Sequence, residues 1–68
     1  MTIEEIKETL PVVDVKVGKN IYIGSISGRK NSFATISVIM PDYNNPFIFN
    51  FSWKTVERAI NNGTYLTI

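Results

Sequence analysis

The chain contains neither cysteine nor histidine among its 68 residues. A chain of this length forms a single domain that buries only about 60% of the surface its unfolded form exposes. Small domains often supplement a thin core with disulfides or a metal ion, but disulfides and the usual zinc sites need Cys or His. We therefore predict one domain over residues 1–68 that rests on apolar packing. It has a helical segment at residues 1–10, a β body at residues 11–68, and no metal or other cofactor.

Apolar and polar residues alternate along most of the chain, which is the period of a half-buried β-strand. The clearest case is Phe47 to Trp53, where an aromatic residue stands at every second position. In the second strand segment the alternation slips near Gly24, and a glycine at such a point indicates a bulge or a sharp bend. We predict five strands, near residues 12–17, 21–27, 33–40, 47–52 and 64–68.

The first ten residues predict a short helix over residues 3–9. Thr2 and Glu5 are spaced as a capping box, in which each side chain bonds the backbone N–H of the other residue. A helix of two turns is not stable alone, so its apolar side must dock on the body or on a partner, and we favour the body. That apolar side consists of Ile3, Ile6 and Leu10.

A second short helix is predicted to follow the fourth strand. Ser52 is a suitable N-cap, and Gly63 stands where the positive φ of a helix C-terminus is needed. The apolar side of this helix consists of Trp53, Val56, Ala59 and Ile60.

This order of elements resembles that of SH3-like barrels, in which four strands joined by turns precede a helical turn and a closing strand. We therefore predict a β-rich α+β fold: a small SH3-like five-stranded barrel with a short N-terminal helix and a short helix before the last strand. The alternative is a three-stranded antiparallel sheet over residues 20–27, 33–40 and 47–52, packed on one helix. That arrangement is similar to the arm-binding domains of phage-type integrases and to AP2-type DNA binders, but it leaves the strand at 12–17 without a role.

The sequence predicts that the protein is not an enzyme. Most hydrolytic schemes need a base that titrates near working pH, usually His, so Cys–His and Ser–His–Asp arrangements are excluded. A carboxylate pair would need two acids in one cleft, and a barrel this small has little room for a cleft. We therefore expect no catalytic residues and a function carried by the surface.

Charge distribution points to one basic region. Three glutamates and one lysine give residues 1–10 a net charge of −2, whereas six cations and three acids give the remainder +3. Arg29 and Lys30 lie in a predicted loop at 28–31, and Lys16 and Lys19 belong to the neighbouring strand and turn. If the two loops meet at one end of the barrel, these four cations would form a phosphate-binding patch; otherwise they are solubilising charges.

Aromatic residues are the other candidates for binding. Phe47, Phe49, Phe51 and Trp53 could stack bases or grip a proline-rich peptide, but a small barrel needs large side chains inside, so we predict that they are core. Tyr43, in the turn-rich connection at 41–46, is the aromatic residue that we expect to face solvent.

Three functions remain open. The first is a nucleic-acid-binding accessory module that uses Lys16, Lys19, Arg29, Lys30 and Tyr43. The second, nearly level with it, is a protein-interaction module, such as a small inhibitor or adaptor of the kind that phages and mobile elements encode. The third is a homo-oligomeric structural unit. No apolar run reaches membrane-spanning length and no signal peptide is recognisable, so we expect a cytoplasmic protein without a membrane partner.

Overall fold

The fold is taken from a computed structural model, which describes residues 1–29 and 32–68 and, of Arg29, only the backbone. Its elements follow the chain as α1 (Ile3–Thr9), β1 (Val13–Val17), β2 (Asn20–Arg29), β3 (Phe33–Val38), β4 (Phe47–Ser52), α2 (Trp53–Asn62) and β5 (Leu66–Thr67).

All five strands belong to one sheet, in the order β4-β3-β2-β1-β5. Consecutive strands from β1 to β4 pair antiparallel, and β5 pairs parallel with β1. The sheet curls into a half-barrel, which confirms the β-rich α+β class with five strands and two helices. The three-stranded alternative is wrong, because β1 and β5 are part of the same sheet.

The predicted bounds and cap of α1 are confirmed. The backbone N–H of Thr2 donates to Oε1 of Glu5 at 3.0 Å, and the N–H of Glu5 donates to Oγ1 of Thr2 at 3.2 Å. The helix packs against α2 of its own chain, with Ile6 fully buried. Leu10 was predicted to dock as well, but it is 38% exposed, because it forms the C-cap with a φ of 48° and turns the chain away from the helix.

Helix α2 begins and ends as predicted. Oγ of Ser52 accepts a hydrogen bond from the backbone N–H of Thr55, and Gly63 ends the helix with a φ of 64°. A residue with a β-carbon is strained in that conformation. The buried side chains of α2 are Trp53, Val56 and Ala59.

The helices cover one side of the sheet, here called the core face, and the opposite side is the outer face. The fully or almost fully buried residues that form the core are Ile6, Val13, Val15, Ile26, Ala34, Ile36, Val38, Met40, Trp53, Val56, Ala59 and Leu66. Phe47, Phe49 and Phe51 are half-buried and pack against this core, and Trp53 is buried, as expected of the aromatic row.

The irregularity in β2 lies further along than the sequence indicates. Pairing is regular through Gly24, and the register shifts between Ile26 and Gly28, so Ser27 is the extra residue. The prediction of a bulge at Gly24 is therefore wrong. The predicted loop over 28–31 also begins too early, because β2 continues through Arg29, which pairs with Ala34.

Candidate functional site

The outer face of the sheet is assembled from side chains opposite the core. In an antiparallel pair, residues directly across from each other point to the same face. Val15 pairs with Tyr22, and Val38 pairs with Gly24. Because both valines are buried in the core, Tyr22 and Gly24 also point to the core face. The alternate residues of β2, Ile21 and Ile23, consequently point to the outer face.

Two further isoleucines join them. Ile39 follows Val38 directly, so it and Ile23 would form the next pair of the β2–β3 ladder, and Ile48 of β4 pairs with Ser37 on the outer face of β3. The exposed fractions are 54% for Ile21, 68% for Ile23, 74% for Ile39 and 55% for Ile48. We call these four residues the isoleucine face. Single exposed apolar side chains are ordinary, but a grouped set on one surface is typical of a contact site.

The sequence reasoning did not find the isoleucine face. The segment Ile21-Tyr22-Ile23 alternates, and alternation alone leaves open which of these side chains face solvent. The structure decides this: Tyr22 is half-buried against the core, and both isoleucines are exposed. Ile39 and Ile48 carried a usable signal, because each stands on the polar side of the alternation in its own segment.

The structure separates two of the predicted cations, Lys19 and Arg29, along one strand. Lys19 is exposed in the turn before β2, whereas Arg29 is the last residue of β2. Ten strand residues separate the two ends by about 30 Å along the strand. The connections before and after β2 lie at opposite ends of this strand, so Lys19 does not lie beside the backbone of Arg29. The side chain of Arg29 and all of Lys30 lie outside the described residues.

Lys16 has a local partner on the outer face. Lys16 pairs with Thr67 of β5, and Nζ of Lys16 lies 5.6 Å from the centre of the Tyr65 ring. An ammonium ion at this distance from a ring face is attracted by the electrons of the ring. Lys16 therefore helps to hold β5 on β1, and its side chain is half-buried.

Tyr43 is exposed, as expected, with 58% of its surface open to solvent. Its ring packs edge-on against Phe47 with the centroids 4.8 Å apart, and Phe47 stacks with Phe49 at 6.4 Å. Such geometries are favourable for aromatic pairs. Tyr43 thus extends the half-buried aromatic row of β4 towards solvent.

Comparisons with models of protein families, with curated proteins and with solved structures gave no match.

Three grooves of the described surface carry few ionisable groups. Their volumes are about 330, 340 and 310 Å³, and Asp14 is the single carboxylate side chain among their lining residues. Residues 1–29 and 32–68 contain no group of three acidic, histidine or cysteine side chains close enough to bind a metal ion together. Over the same residues, neither helix is long and apolar enough to cross a membrane.

Proposed function

We propose that this chain is a non-enzymatic protein-interaction module that binds a partner protein through the isoleucine face. The observation that carries the proposal is the exposure of Ile21, Ile23, Ile39 and Ile48, each more than half open to solvent on one side of the sheet. Burying apolar surface contributes roughly 25 cal/mol per Å². Covering four such side chains is therefore a substantial source of binding free energy.

Neighbouring outer-face residues support a protein rather than a polyanionic ligand. Asp14 pairs with Ile23, and Lys16 pairs with Ile21, so one acid and one base border the face on its β1 side. Ser25 and Ser37, which pair with each other, form the row of outer-face residues next to Ile23 and Ile39, and Ser37 also pairs with Ile48. An apolar centre with a polar, charge-balanced border is the usual composition of a protein interface.

The test is affinity capture from a host lysate, with and without nuclease, using three forms of the chain. The variant Ile23→Thr/Ile39→Thr removes apolar surface from the isoleucine face, and threonine keeps a β-branched side chain. The matched control is Val12→Thr, since Val12 is 63% exposed but precedes β1. We expect a nuclease-resistant partner whose affinity falls at least tenfold for the double variant and is unchanged for the control. Equal capture by all three forms would refute the proposal.

Nucleic-acid binding is the second candidate, and one observation favours it. Arg29 pairs with Ala34, and Ala34 pairs with Phe51, so the end of β2 lies at the same end of the sheet as the start of α2. Lys54 is exposed in the first turn of that helix. The basic region of this proposal is therefore built on Arg29 and Lys54 and leaves out Lys19, whereas Lys30, the next residue in the sequence after Arg29, lies outside the described residues. As part of the same proposal, we propose that the half-barrel is SH3-like, on the basis of the order of its elements.

The test for this candidate is a titration with single- and double-stranded oligonucleotides at several salt concentrations. Affinity should fall with salt and should drop further in Arg29→Ala/Lys30→Ala, because each phosphate contact releases counterions. Lys19→Ala is the control, because Lys19 lies at the other end of β2. Absence of binding at low salt would remove the candidate.

A further inference from the structure

The half-barrel leaves one long strand edge unpaired. Strand β4 pairs with β3 through six consecutive residue pairs, and no other strand of the described chain pairs with its opposite side. At the other end of the sheet, β5 has only two residues. A short edge strand offers little backbone for pairing, whereas a long one presents a row of N–H and C=O groups to solvent.

No charged residue, proline or bulge interrupts β4. Proteins normally block exposed edges with charged residues, prolines or bulges. The segment Phe47–Ser52 contains no charged residue and no proline or glycine, and its register with β3 has no break. A six-residue segment with high strand propensity and no charge is the composition that favours pairing between chains.

The side chains at this edge are suited to continuation of the sheet. Phe47, Phe49 and Phe51 are half-buried on the core face, so part of each ring is open to solvent. On the outer face, Ile48 is 55% exposed. A neighbouring strand with apolar side chains on both faces would cover these surfaces, and aromatic pairs across strands add stability.

We propose that a second copy of this chain occupies the edge, so that two β4 strands pair antiparallel about a two-fold axis perpendicular to the sheet. Charge does not oppose this occupant. The strand has no ionisable side chain, and the whole chain carries a net charge of only +1, so two copies repel each other little. Near-zero net charge promotes association. The two-fold axis also places the aromatic row of one copy beside that of the other on the same face.

This dimer goes beyond the proposed function, because it uses the edge of the sheet and leaves Ile21, Ile23 and Ile39 of the isoleucine face uncovered. A two-fold axis perpendicular to the sheet keeps both outer faces on the same side. The dimer therefore presents two isoleucine faces side by side, and a partner with two binding sites would be bound more tightly through the raised effective concentration.

The experiment is sedimentation equilibrium of the full chain from low micromolar to near-millimolar concentration. Asn50→Lys introduces a charge at the outer side of the edge, and Asn50→Thr is the matched control at the same position. Both variants remove the hydrogen bond that Oγ1 of Thr35 donates to Oδ1 of Asn50 at 3.1 Å. We expect a dimer for the wild type and for Asn50→Thr, and a dissociation constant at least tenfold higher for Asn50→Lys.

A second measurement keeps the proposal testable if Asn50→Lys does not fold. In a mixed sample of labelled and unlabelled wild-type chains, intermolecular NOEs should connect backbone protons of β4 in the two copies. A monomeric mass at all concentrations would overturn the proposal. Intermolecular NOEs confined to Ile23 and Ile39 would overturn it too, and would show self-association through the isoleucine face instead.

Discussion

Gly24 lies so close to Ile36 that a β-carbon on the glycine would be 2.7 Å from Cγ2 of the isoleucine. Carbon atoms pack at about 3.5–4.0 Å. On the neighbouring strand, Cγ2 of Val15 would be 2.8 Å away. The role of Gly24 is therefore to leave room for two core side chains, and its backbone is part of a regular ladder.

Gly24→Ala should destabilise the fold by overpacking. Inserting a methyl group into a filled core typically costs about 1–3 kcal/mol. Urea unfolding followed by circular dichroism measures the loss. Ser25→Ala is the control, because Ser25 is exposed on the same strand and should change stability by less than about 0.5 kcal/mol. An unchanged unfolding free energy for Gly24→Ala would contradict the close approach.

The assignment of faces in β2 and β3 predicts different costs for an isoleucine in each strand. Ile23→Thr should alter the free energy of unfolding by less than about 0.5 kcal/mol, because Ile23 is 68% exposed. Ile36→Ala should cost about 2–5 kcal/mol, because Ile36 is fully buried. Thermal unfolding compares the two variants, and a larger loss for Ile23→Thr would mean that the faces are reversed.

Docking of α1 on α2 should be visible in tryptophan fluorescence. Trp53 is the single tryptophan and is 4% exposed, and Nζ of Lys7 lies 5.2 Å from the centre of its ring. Ile6→Ala removes the fully buried anchor of α1, so we expect Trp53 emission to shift to longer wavelength and stability to fall by about 2–5 kcal/mol. Val12→Ala is the control. Emission that is identical in Ile6→Ala and wild type would show that α1 does not shield Trp53.

The cap of α1 should weaken in acid. Hydrogen bonds from Thr2 lower the pKa of the Glu5 carboxyl group. The backbone N–H of Thr2 has the larger effect, and the Thr2 side chain has the smaller one. Because the folded pKa is below the unfolded value of about 4.3, the stabilisation is complete above the unfolded pKa and is lost as pH falls through the folded pKa.

An NMR titration of the Thr2 amide proton measures this effect. The chemical shift should change with a midpoint below the usual range of glutamate. In Glu5→Gln the amide oxygen can still accept the hydrogen bond but does not titrate, so the Thr2 shift should stay nearly constant. A midpoint at or above the usual value in the wild type would mean that the capping box contributes nothing in solution.

Local sequence patterns were sufficient to predict the single elements. The bounds of α1 follow from its capping box, and those of α2 follow from Ser52 and Gly63, because caps depend on residues within one turn of the helix end. The bounds of β4 follow from its alternating aromatic residues. These features need only neighbours along the chain, so the sequence suffices to predict them.

Tertiary structure alone decided which side of β2 faces the core and which cations lie together. Alternation in Ile21-Tyr22-Ile23 fits either face, because a strand shifted by one residue exchanges all its side chains. The pairing of Val15 with Tyr22 selects one of them. Likewise, the length of β2 separates Lys19 from Arg29, and the curl of the sheet leaves β4 at an open edge. Each outcome depends on contacts between residues distant in the sequence, which no local pattern records.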